Sequence, residues 1–322
     1  MSRIHFLNVQ NGDCNIIEHN SNRITMIDVC CARKEIIKDE CSQEDTGIIM
    51  NSSLSGNYRQ KEHPDNPIEY LKYVIKRNDI FRYIQTHPDM DHMDGLKDLF
   101  DECEILNFWD TNNNKKISSS DFNKYRKEDW DFYQEIRKST STPKVLYLTD
   151  NSEGEFYRCE YGDGLFILAP STELIKYAND SEDYNELSYV LLYQTSGKKI
   201  IFAGDSGEKS WDYILRKYED LVTNVDILLA PHHGRKTGGN DNYLDILKPK
   251  LTLFGNAESE HLDYSSWNNR DLLKITNNEA GTIVLDIENN NISVYVENEA
   301  FAKNFTAYDG KKNECGYYIG NV

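Results

Sequence analysis

The chain has 322 residues, of which 39% are hydrophobic and 28% are charged, as in a globular protein rather than a disordered one. Its formal net charge is −18, whereas a protein that coats nucleic acid through a broad cationic face has the opposite sign. No apolar run reaches the roughly 18 residues of a membrane helix, and the N-terminus does not resemble a secretory signal. We therefore expect neither a membrane span nor a signal peptide.

The seven cysteines are odd in number and include no Cys-x-x-Cys pair. A disulfide framework or a structural zinc site built on cysteine would show an even number or paired spacings. We therefore expect reduced cysteines and a cytoplasmic protein that does not bind a membrane.

Short apolar runs separated by turn signals predict three antiparallel strands, at residues 4–9, 14–17 and 24–29. Asn66 and Pro67 predict the start of a helix that extends to Arg77, because proline is tolerated in the first helical turn. Residues 80–85 predict a strand that leads directly into the sequence THPDMDH, residues 86–92.

The middle of the chain has a different composition. Residues 107–143 are rich in Asn, Ser and Thr, and they contain one helix-like block with several aromatic side chains, residues 121–138. Such a segment is typical of an insertion packed on a rigid frame, and it is a candidate lid. No linker or repeat divides the rest of the chain, so we predict a single domain, residues 1–322, that carries this insertion.

Regular alternation of elements resumes after the insertion. The predicted strands are residues 187–195, 198–203, 225–230, 251–254, 282–286 and 291–296, and the predicted helices are residues 208–218, 243–247 and 266–274. The last two strands are expected to close the fold.

The segment HPDMDH, residues 87–92, offers four candidate metal ligands immediately after a predicted strand. In an extended backbone His87 and Asp89 point the same way, because side chains repeat every second residue. Asp91 and His92 are adjacent and point apart, so they are suited to a second ion. Acids and imidazoles clustered in this way are costly unless a cation neutralises them. The alternative is a solvated acidic loop in which the aspartates face water.

Two further motifs favour the metal site over the loop. The sequence GD places Asp205 at the end of one apolar strand, and the sequence PHHG places His232 and His233 at the end of another. Strand ends are where α/β scaffolds assemble sites from distant segments. Arg235 and Lys236 come next and are suited to binding a phosphate, although surface charge explains them equally well.

Together, a strand, the pattern HxDxDHxxG, a Gly-Asp strand end and a late His-His-Gly resemble the metallo-β-lactamase superfamily. Within it, the chain resembles the ComEC-like hydrolases, a group that comprises the soluble domain of a competence protein for DNA uptake and its stand-alone relatives. The segments that carry the resemblance are FLNVQNGDCNII, THPDMDHMDGL, NELSYVLLYQTSGKKIIFAGD, VDILLAPHHGRKTGGNDNYLDILKPK and RDLLKITNNEAGTIVLDI.

The sequence also departs from the pattern of this superfamily. Asp89 stands where most members have a second histidine, Cys30 stands where the ComEC-like group usually has a glycine, and Arg235 replaces a small residue. The mid-chain histidine ligand of the wider superfamily is matched here by Asn185 or Ser188. We therefore expect the first metal site to bind its ion weakly, or only one of the two sites to be filled.

The resemblance implies a four-layer αββα sandwich, an α/β or α+β fold, and nuclease-type cleavage of phosphodiester bonds by a metal-activated hydroxide. Two divalent ions, Zn²⁺ or Mn²⁺, would lie about 3.5–4 Å apart. His87 and Asp89 would hold one ion. Asp91, His92 and one of the two late histidines would hold the other, and Asp205 would bridge the two.

Asp91 would orient the hydroxide, and whichever of His232 and His233 is not a ligand would protonate the leaving oxygen. The expected substrate contacts are Asn185, Ser188, Arg235 and Lys236. Asp28 and Asp13 are expected to stabilise turns or to orient metal ligands.

The expected substrate is a short or single-stranded nucleic acid or a nucleotide, because a net charge of −18 repels a long polyanion. Delivery by a partner protein in a multi-component system would serve the same purpose. Two alternatives stay open. The first is a hydrolase of lactones, thioesters or lactams, which would use the same activated water. The second is a non-catalytic binding module that is stabilised by metal.

Overall fold

The strands and helices are given for the residues that a computed structural model of the chain describes: 1–34, 58–118, 122, 124–154, 156–158, 162–236, 239–257 and 261–322. The strands are β1 (Ser2–Phe6), β2 (Asn15–Glu18), β3 (Ile24–Ile27), β4 (Asp79–Ile84), β5 (Glu104–Trp109), β6 (Lys144–Leu146), β7 (Leu165–Ala169), β8 (Val190–Thr195), β9 (Lys198–Phe202), β10 (Ile227–Leu229), β11 (Leu251–Phe254), β12 (Lys274–Thr276), β13 (Ile283–Glu288), β14 (Asn291–Val296), β15 (Lys312–Asn313) and β16 (Gly316–Asn321).

The α-helices of the same residues are α1 (Pro67–Tyr70), α2 (Leu96–Glu102), α3 (Lys127–Ile136), α4 (Thr172–Ser181), α5 (Glu208–Val222), α6 (Tyr243–Leu247), α7 (Tyr264–Asn268), α8 (Asn277–Ala280) and α9 (Glu299–Ala302). The shorter 3₁₀ and π turns are Gln60–Glu62, Leu71–Ile75, Met90–His92, Tyr184–Leu187 and Pro231–Gly234. In the described ranges, no helix combines the length and apolar character needed to cross a membrane.

The described strands form two sheets. The larger sheet has ten strands in the order β15-β16-β14-β13-β1-β2-β3-β4-β5-β6, and the smaller has six in the order β12-β11-β10-β9-β8-β7. Strands β3 to β6 run parallel to one another, as do β9 to β12. Parallel neighbours end at the same edge of a sheet, so the residues that follow β3 and β4, and those that follow β9 and β10, are brought together in pairs.

Hydrophobic clusters between and outside the sheets define four layers. The inner cluster contains side chains from both sheets, for example Trp109 of β5 and Phe202 of β9. On the outer face of the larger sheet, the second cluster includes Leu99 of α2 and Tyr133 of α3. On the outer face of the smaller sheet, the third cluster includes Trp211 of α5. The predicted αββα sandwich is therefore confirmed.

The first predicted elements agree with the structure. The three N-terminal strands are present as β1 to β3, and they are antiparallel. The predicted helix begins as expected, because Asn66 Oδ1 accepts hydrogen bonds from the backbone N–H groups of Ile68 and Glu69 at 2.9 and 3.3 Å. After α1 the chain widens into a π turn, and it stops at Lys76, whose φ of 60° is left-handed.

Two predictions near the C-terminus are wrong. The helix predicted at residues 266–274 is α7, which ends at Asn268, and Lys274 instead begins β12. Asp271 lies between them with a φ of 53°, a left-handed conformation that a helix cannot contain. The strand at residues 291–296 does not close the fold either, because β14 pairs with β16 and the larger sheet continues beyond it.

The predicted insertion, residues 107–143, begins inside the larger sheet, because its first residues are the end of β5, which pairs with β4. Its helix, α3, is shorter than the predicted block at residues 121–138. Trp130 and Tyr133 of α3 are buried in the cluster outside the larger sheet, so its aromatic content reflects packing. The single domain and the lid role of this segment stay predictions.

A buried ion pair links the two sheets. Arg82 of β4 and Asp163, which precedes β7, have almost fully buried side chains, and Arg82 Nη2 donates to Asp163 Oδ2 over 2.6 Å. The same guanidinium donates to Thr25 Oγ1 at 2.8 Å and to the carbonyl oxygen of Phe156 at 2.9 Å. A buried charge with these partners is stable only while its counter-charge is present.

Replacing Asp163 by Ala is expected to lower the free energy of unfolding by about 3–5 kcal/mol, because the Arg82 charge would remain buried without its partner. Urea unfolding of the variant and the wild type measures this difference. The control is Asp79→Ala, which removes the partner of Arg77 from an exposed pair and should cost less than about 1 kcal/mol. Equal losses for the two variants would contradict the role given to Asp163.

Candidate metal centre

Polar residues from both sheets meet at the ends of their parallel strands. Asp28 follows β3 and His87 follows β4 in the larger sheet, whereas Asp205 follows β9 and His233 follows β10 in the smaller one. The ring of His92, from the turn after β4, lies with its centroid 4.2 Å from that of His87 and 5.0 Å from that of His233. The motifs separated by more than a hundred residues in the sequence are thus neighbours in space.

The tandem histidines are presented by an unusual turn. His232 and His233 have φ values of 51° and 58°, and Gly234 follows with a φ of 86°. Such left-handed conformations are costly for residues other than glycine, and they cluster at functional sites. A Cβ atom on Gly234 would lie 2.3 Å from the Phe254 ring, so this position requires glycine. The backbone N–H of His232 donates to the carbonyl oxygen of Gly204 at 2.9 Å, which holds this turn beside Asp205.

Asp205 lies between two pairs of imidazoles. Its Oδ1 is 3.2 Å from Nε2 of His92 and 3.6 Å from Nε2 of His233. Its Oδ2 is 3.7 Å from Nε2 of His87 and 3.6 Å from Nε2 of His232. One carboxylate therefore faces two separate sets of nitrogen ligands, as the bridging role predicted for it requires.

Each pair has an acid beside it. Asp89 Oδ1 is 3.9 Å from His87 Nε2, and Asp91 Oδ2 is 3.8 Å from His233 Nε2. We define the first half-site as His87, Asp89, His232 and Oδ2 of Asp205; His87 also lies near enough to His92 and Asp205 for these three to share one ion. The second half-site consists of Asp91, His92, His233 and Oδ1 of Asp205. The sequence left the roles of the two late histidines open; with the half-sites defined in this way, His232 belongs to the first and His233 to the second, and which of them binds metal stays a prediction.

Two of the buried imidazoles are oriented by carboxylates. His92 Nδ1 lies 2.7 Å from Asp28 Oδ2, and His233 Nδ1 lies 2.9 Å from Asp13 Oδ1. A carboxylate that accepts the Nδ1–H proton leaves Nε2 with a free lone pair for a metal ion. The sequence-based expectation that Asp28 and Asp13 orient ligands agrees with these contacts.

Thr86 orients the third buried imidazole. Its hydroxyl donates to Asp28 Oδ2 at 2.5 Å and lies 3.0 Å from His87 Nδ1, so it accepts the Nδ1–H proton of His87. Asp28 also accepts from the backbone N–H of Thr86 at 2.7 Å. The Asp28 carboxylate therefore fixes two of the histidines, His87 through Thr86 and His92 directly.

The ring nitrogens that face Asp205 are without other partners. Within the described part of the chain, Nε2 of His87, His92 and His233 and Oδ1 of Asp205 are buried and make no hydrogen bond. Buried polar atoms without partners are rare and costly. Imidazole nitrogens and carboxylate oxygens are the ligands that Zn²⁺ and Mn²⁺ accept. The residues present therefore fit a divalent cation.

The pKa shifts at this centre favour the presence of positive charge beside its carboxylates. Burial opposes the charged form of His92, but Asp205 and Asp28 outweigh it and raise the pKa of His92 well above its usual value. Burial is likewise outweighed at His233, where Asp13 and Asp205 raise the pKa to about 10. Burial would raise the pKa of Asp205, but His92 and His233 hold it well below its usual range.

The four predicted substrate contacts lie in different surroundings. Ser188 is fully buried, and it packs against Gly204 next to Asp205. Asn185 is half-buried in the preceding turn, where its carbonyl oxygen accepts from the Ser188 N–H at 3.0 Å. Arg235 is half-buried and Lys236 is exposed, directly after the tandem histidines. That these four residues contact substrate stays a prediction.

Sequence reasoning missed two residues that contact the predicted ligands. Thr86, described above, had no pattern of its own. Lys115 lies in the predicted insertion, and its Nζ pairs with Oδ1 of Asp89. Lys115 and Asp89 are 26 positions apart in the chain, and a lysine in a polar segment gives no signal of such a contact.

No protein-family model matches the sequence, and comparison with the curated proteins gives no match. Among solved structures, a diphosphatase from the PhnP family is 11% identical over 89% of this chain and 98% of its own, with a TM-score of 0.45. Zn²⁺-bound PqqB from Methylobacterium extorquens is 11% identical over 89% of this chain and 100% of its own, with a TM-score of 0.42. CmlA, a diiron β-hydroxylase from Streptomyces venezuelae, is 10% identical over 89% of this chain and 54% of its own, with a TM-score of 0.45. With such low identities and scores, these proteins assign neither a reaction nor a substrate to this chain.

Replacing Asp28 by Asn is expected to weaken binding of Zn²⁺ or Mn²⁺ by about 10- to 100-fold, because the carboxylate that fixes two of the imidazoles would be lost. Equilibrium dialysis with metal analysis measures this affinity. Asp13→Asn should have a similar effect through His233.

The matched control is Asp131→Asn on α3, whose side chain is 56% exposed and lies in a surface pair with Lys127. This variant should bind metal as the wild type does. Thermal melting shows whether each variant is folded. A folded Asp28→Asn protein with unchanged metal affinity would contradict the orienting role.

Proposed function

We propose that this protein is a metal-dependent hydrolase that cleaves phosphodiester bonds, with two divalent cations, Zn²⁺ or Mn²⁺, in its half-sites. The observation that carries the proposal is the position of Asp205 between four imidazoles, three of which are buried with Nε2 unpartnered among the described residues. A neutral structural cluster would pair these atoms with hydrogen-bond donors and acceptors, whereas a metal centre leaves them available.

The cations would supply Lewis acidity and activate a water molecule for attack on the phosphorus atom. In this proposal Asp91 orients that water, because its side chain is 22% exposed and lies 3.8 Å from His233 Nε2. Burial alone would raise the pKa of Asp91, but His233 and His92 lower it well below its usual value, so the carboxylate starts ionised. The ionised carboxylate at the open side of the centre can accept a hydrogen bond from the water and so orient its attack, whereas its low pKa makes it a weak base.

The leaving oxygen needs a proton in the same step. The sequence assigned this task to whichever late histidine is not a ligand, and both now lie in a half-site. Burial, together with the charges of His233 and Arg235, lowers the pKa of His232 against the pull of Asp205, so His232 is neutral near pH 7 and does not carry the proton that the leaving oxygen needs. In this proposal solvent at the open side of the centre takes the proton of the attacking water and supplies one to the leaving oxygen, and His232 and His233 act by holding the cations.

Arg235 supports a phosphate-containing substrate. It follows the tandem histidines, and its charge acts on the neighbouring His232. Its Nε is buried and makes no hydrogen bond with any residue that the structure describes. A guanidinium with an unused donor beside a metal centre is suited to a phosphate oxygen. Lys236 is exposed next to it and would add charge at the rim.

The overall charge of −18 limits the form of the substrate. A long polyanion would be repelled outside the centre, so we propose a short or single-stranded nucleic acid or a nucleotide, or delivery by a partner protein. We also propose a cytoplasmic location. The five described cysteines, Cys14, Cys30, Cys31, Cys103 and Cys315, are free thiols, in keeping with a reducing compartment.

The test is a substrate panel with the protein loaded with Zn²⁺ or Mn²⁺. We expect hydrolysis of bis-nitrophenyl phosphate, single-stranded DNA or RNA, and little hydrolysis of lactone, thioester or lactam substrates. Asp205→Asn should lower the phosphodiesterase rate by about a hundredfold or more, because the group that faces both half-sites would lose its charge. Asp286→Asn, on β13 away from the centre, serves as the control.

Two results would refute the proposal. Rapid hydrolysis of a carbonyl substrate while all phosphodiesters stay intact would indicate the carbonyl-directed reaction. A folded protein that retains no metal and hydrolyses nothing would indicate a binding module instead.

Arg235→Ala is expected to raise the KM for phosphodiesters by about tenfold with a smaller change in kcat, because a charge-assisted contact to the substrate would be lost. Steady-state kinetics measures both constants. Arg216→Ala on α5 removes the same charge from an exposed site and should leave both unchanged. A selective loss of kcat in Arg235→Ala would contradict a binding role.

A further inference from the structure

Lys115 is a cation that the protein itself supplies to the first half-site. Its Nζ pairs with Oδ1 of Asp89, the same oxygen that lies 3.9 Å from Nε2 of His87. The two side chains are partly buried, at 21% and 33% exposure. The second half-site differs, because Asp91 has no lysine or arginine paired with it among the described residues.

The segment that carries Lys115 is tied to the frame on one side. The backbone N–H of Lys115 donates to Asn113 Oδ1 at 3.2 Å. Asn113 Nδ2 in turn donates to the hydroxyl oxygen of Tyr133 in α3 at 2.7 Å, and that hydroxyl donates to Asp110 Oδ1 at 2.6 Å. Arg137 completes the network with a hydrogen bond of 2.6 Å to Asp110 Oδ2.

The opposite side is fixed as well. Lys115 Nζ lies 5.3 Å from the ring centre of Tyr184, at a distance suited to a cation–π contact. The Tyr184 hydroxyl donates to Asn114 Oδ1 at 2.9 Å, and the backbone N–H of Asn114 donates to Asn179 Oδ1 at 2.9 Å. The ammonium is therefore held at Asp89 by contacts on two sides, unlike a flexible surface lysine.

We propose that Lys115 makes the two half-sites unequal, so that the first half-site binds its divalent cation more weakly than the second. A cation that binds Asp89 shares this carboxylate with the ammonium or displaces the ammonium from it, and it meets a like charge while the two share it. The second half-site offers Asp91 without such a competitor. This inference rests on the metal centre of the proposed function, and it concerns a residue that the ligand motifs do not include.

The test measures binding of Mn²⁺ in the absence of substrate, by isothermal titration calorimetry and by electron paramagnetic resonance. The proteins are the wild type, Lys115→Met and the matched control Lys116→Met, which changes the exposed neighbouring lysine. We expect the wild type to bind one ion tightly and a second at least tenfold more weakly. In Lys115→Met the weakly bound ion, which occupies the first half-site, should bind at least tenfold more tightly, and the affinity for the tightly bound ion should be unchanged. Spin-coupled Mn²⁺ should therefore be seen at a lower metal concentration than in the wild type.

A double variant separates competition from a general change in structure. When Asp89 is already replaced by Ala, there is no carboxylate for which the lysine and the metal ion compete. Adding Lys115→Met should then no longer tighten binding of the ion in the first half-site. Lys115→Gln, which keeps a polar side chain, is a second version of the variant if Lys115→Met does not fold.

The outcomes distinguish this inference from the proposed function. Equal affinities in wild type and Lys115→Met, with phosphodiesterase activity intact, would overturn only the role of Lys115. The role of Lys115 would also be overturned if Lys116→Met tightened binding of the weaker ion as much as Lys115→Met does. No Mn²⁺ binding in any of the folded proteins would overturn both the inference and the metal centre.

Discussion

The end of the sandwich is organised around one buried carboxylate. Asp205 is 3% exposed, and a carboxylate in such a position is expensive unless positive charge or hydrogen-bond donors compensate it. Four imidazoles face it, and the orientation of the three buried ones depends on Asp28, Asp13 and Thr86 rather than on Asp205 itself. The left-handed tandem-histidine turn, the buried acids and the unpartnered ring nitrogens follow from the need to surround this group.

The centre has a closed side and an open side. His87, His92 and His233 have fully buried side chains, whereas Asp89, Asp91 and His232 are 33%, 22% and 25% exposed. Each half-site therefore has at least one ligand that a substrate or a solvent molecule can approach. Arg235 follows the tandem histidines, and its charge acts on His232, one of the exposed members of the centre.

The sequence was sufficient to predict that the candidate ligands meet, because each of their motifs is local and follows an apolar strand. The convergence of Asp28 with His87, and of Asp205 with His233, required only that parallel strands of one sheet end at a common edge, whereas the approach of His87 to Asp205 also required the two sheets to pack face to face. Other features had no local pattern. The sequence GYYIGN of β16 lacks the alternation of a strand, and its pairing with β14 was not predictable. The contact of Lys115 with Asp89 depends on how a polar segment returns across the sheet, which neither residue type indicates.

The ligands are divided between the two sheets. The larger sheet supplies His87 and His92 with Asp28 behind them, and the smaller supplies Asp205 and the tandem histidines. A cation that contacts both groups would cross-link the two sheets, and sliding of one sheet over the other would pull its ligands apart. Folding and metal uptake are then thermodynamically linked, so the alignment of the two sheets is itself part of the affinity for metal.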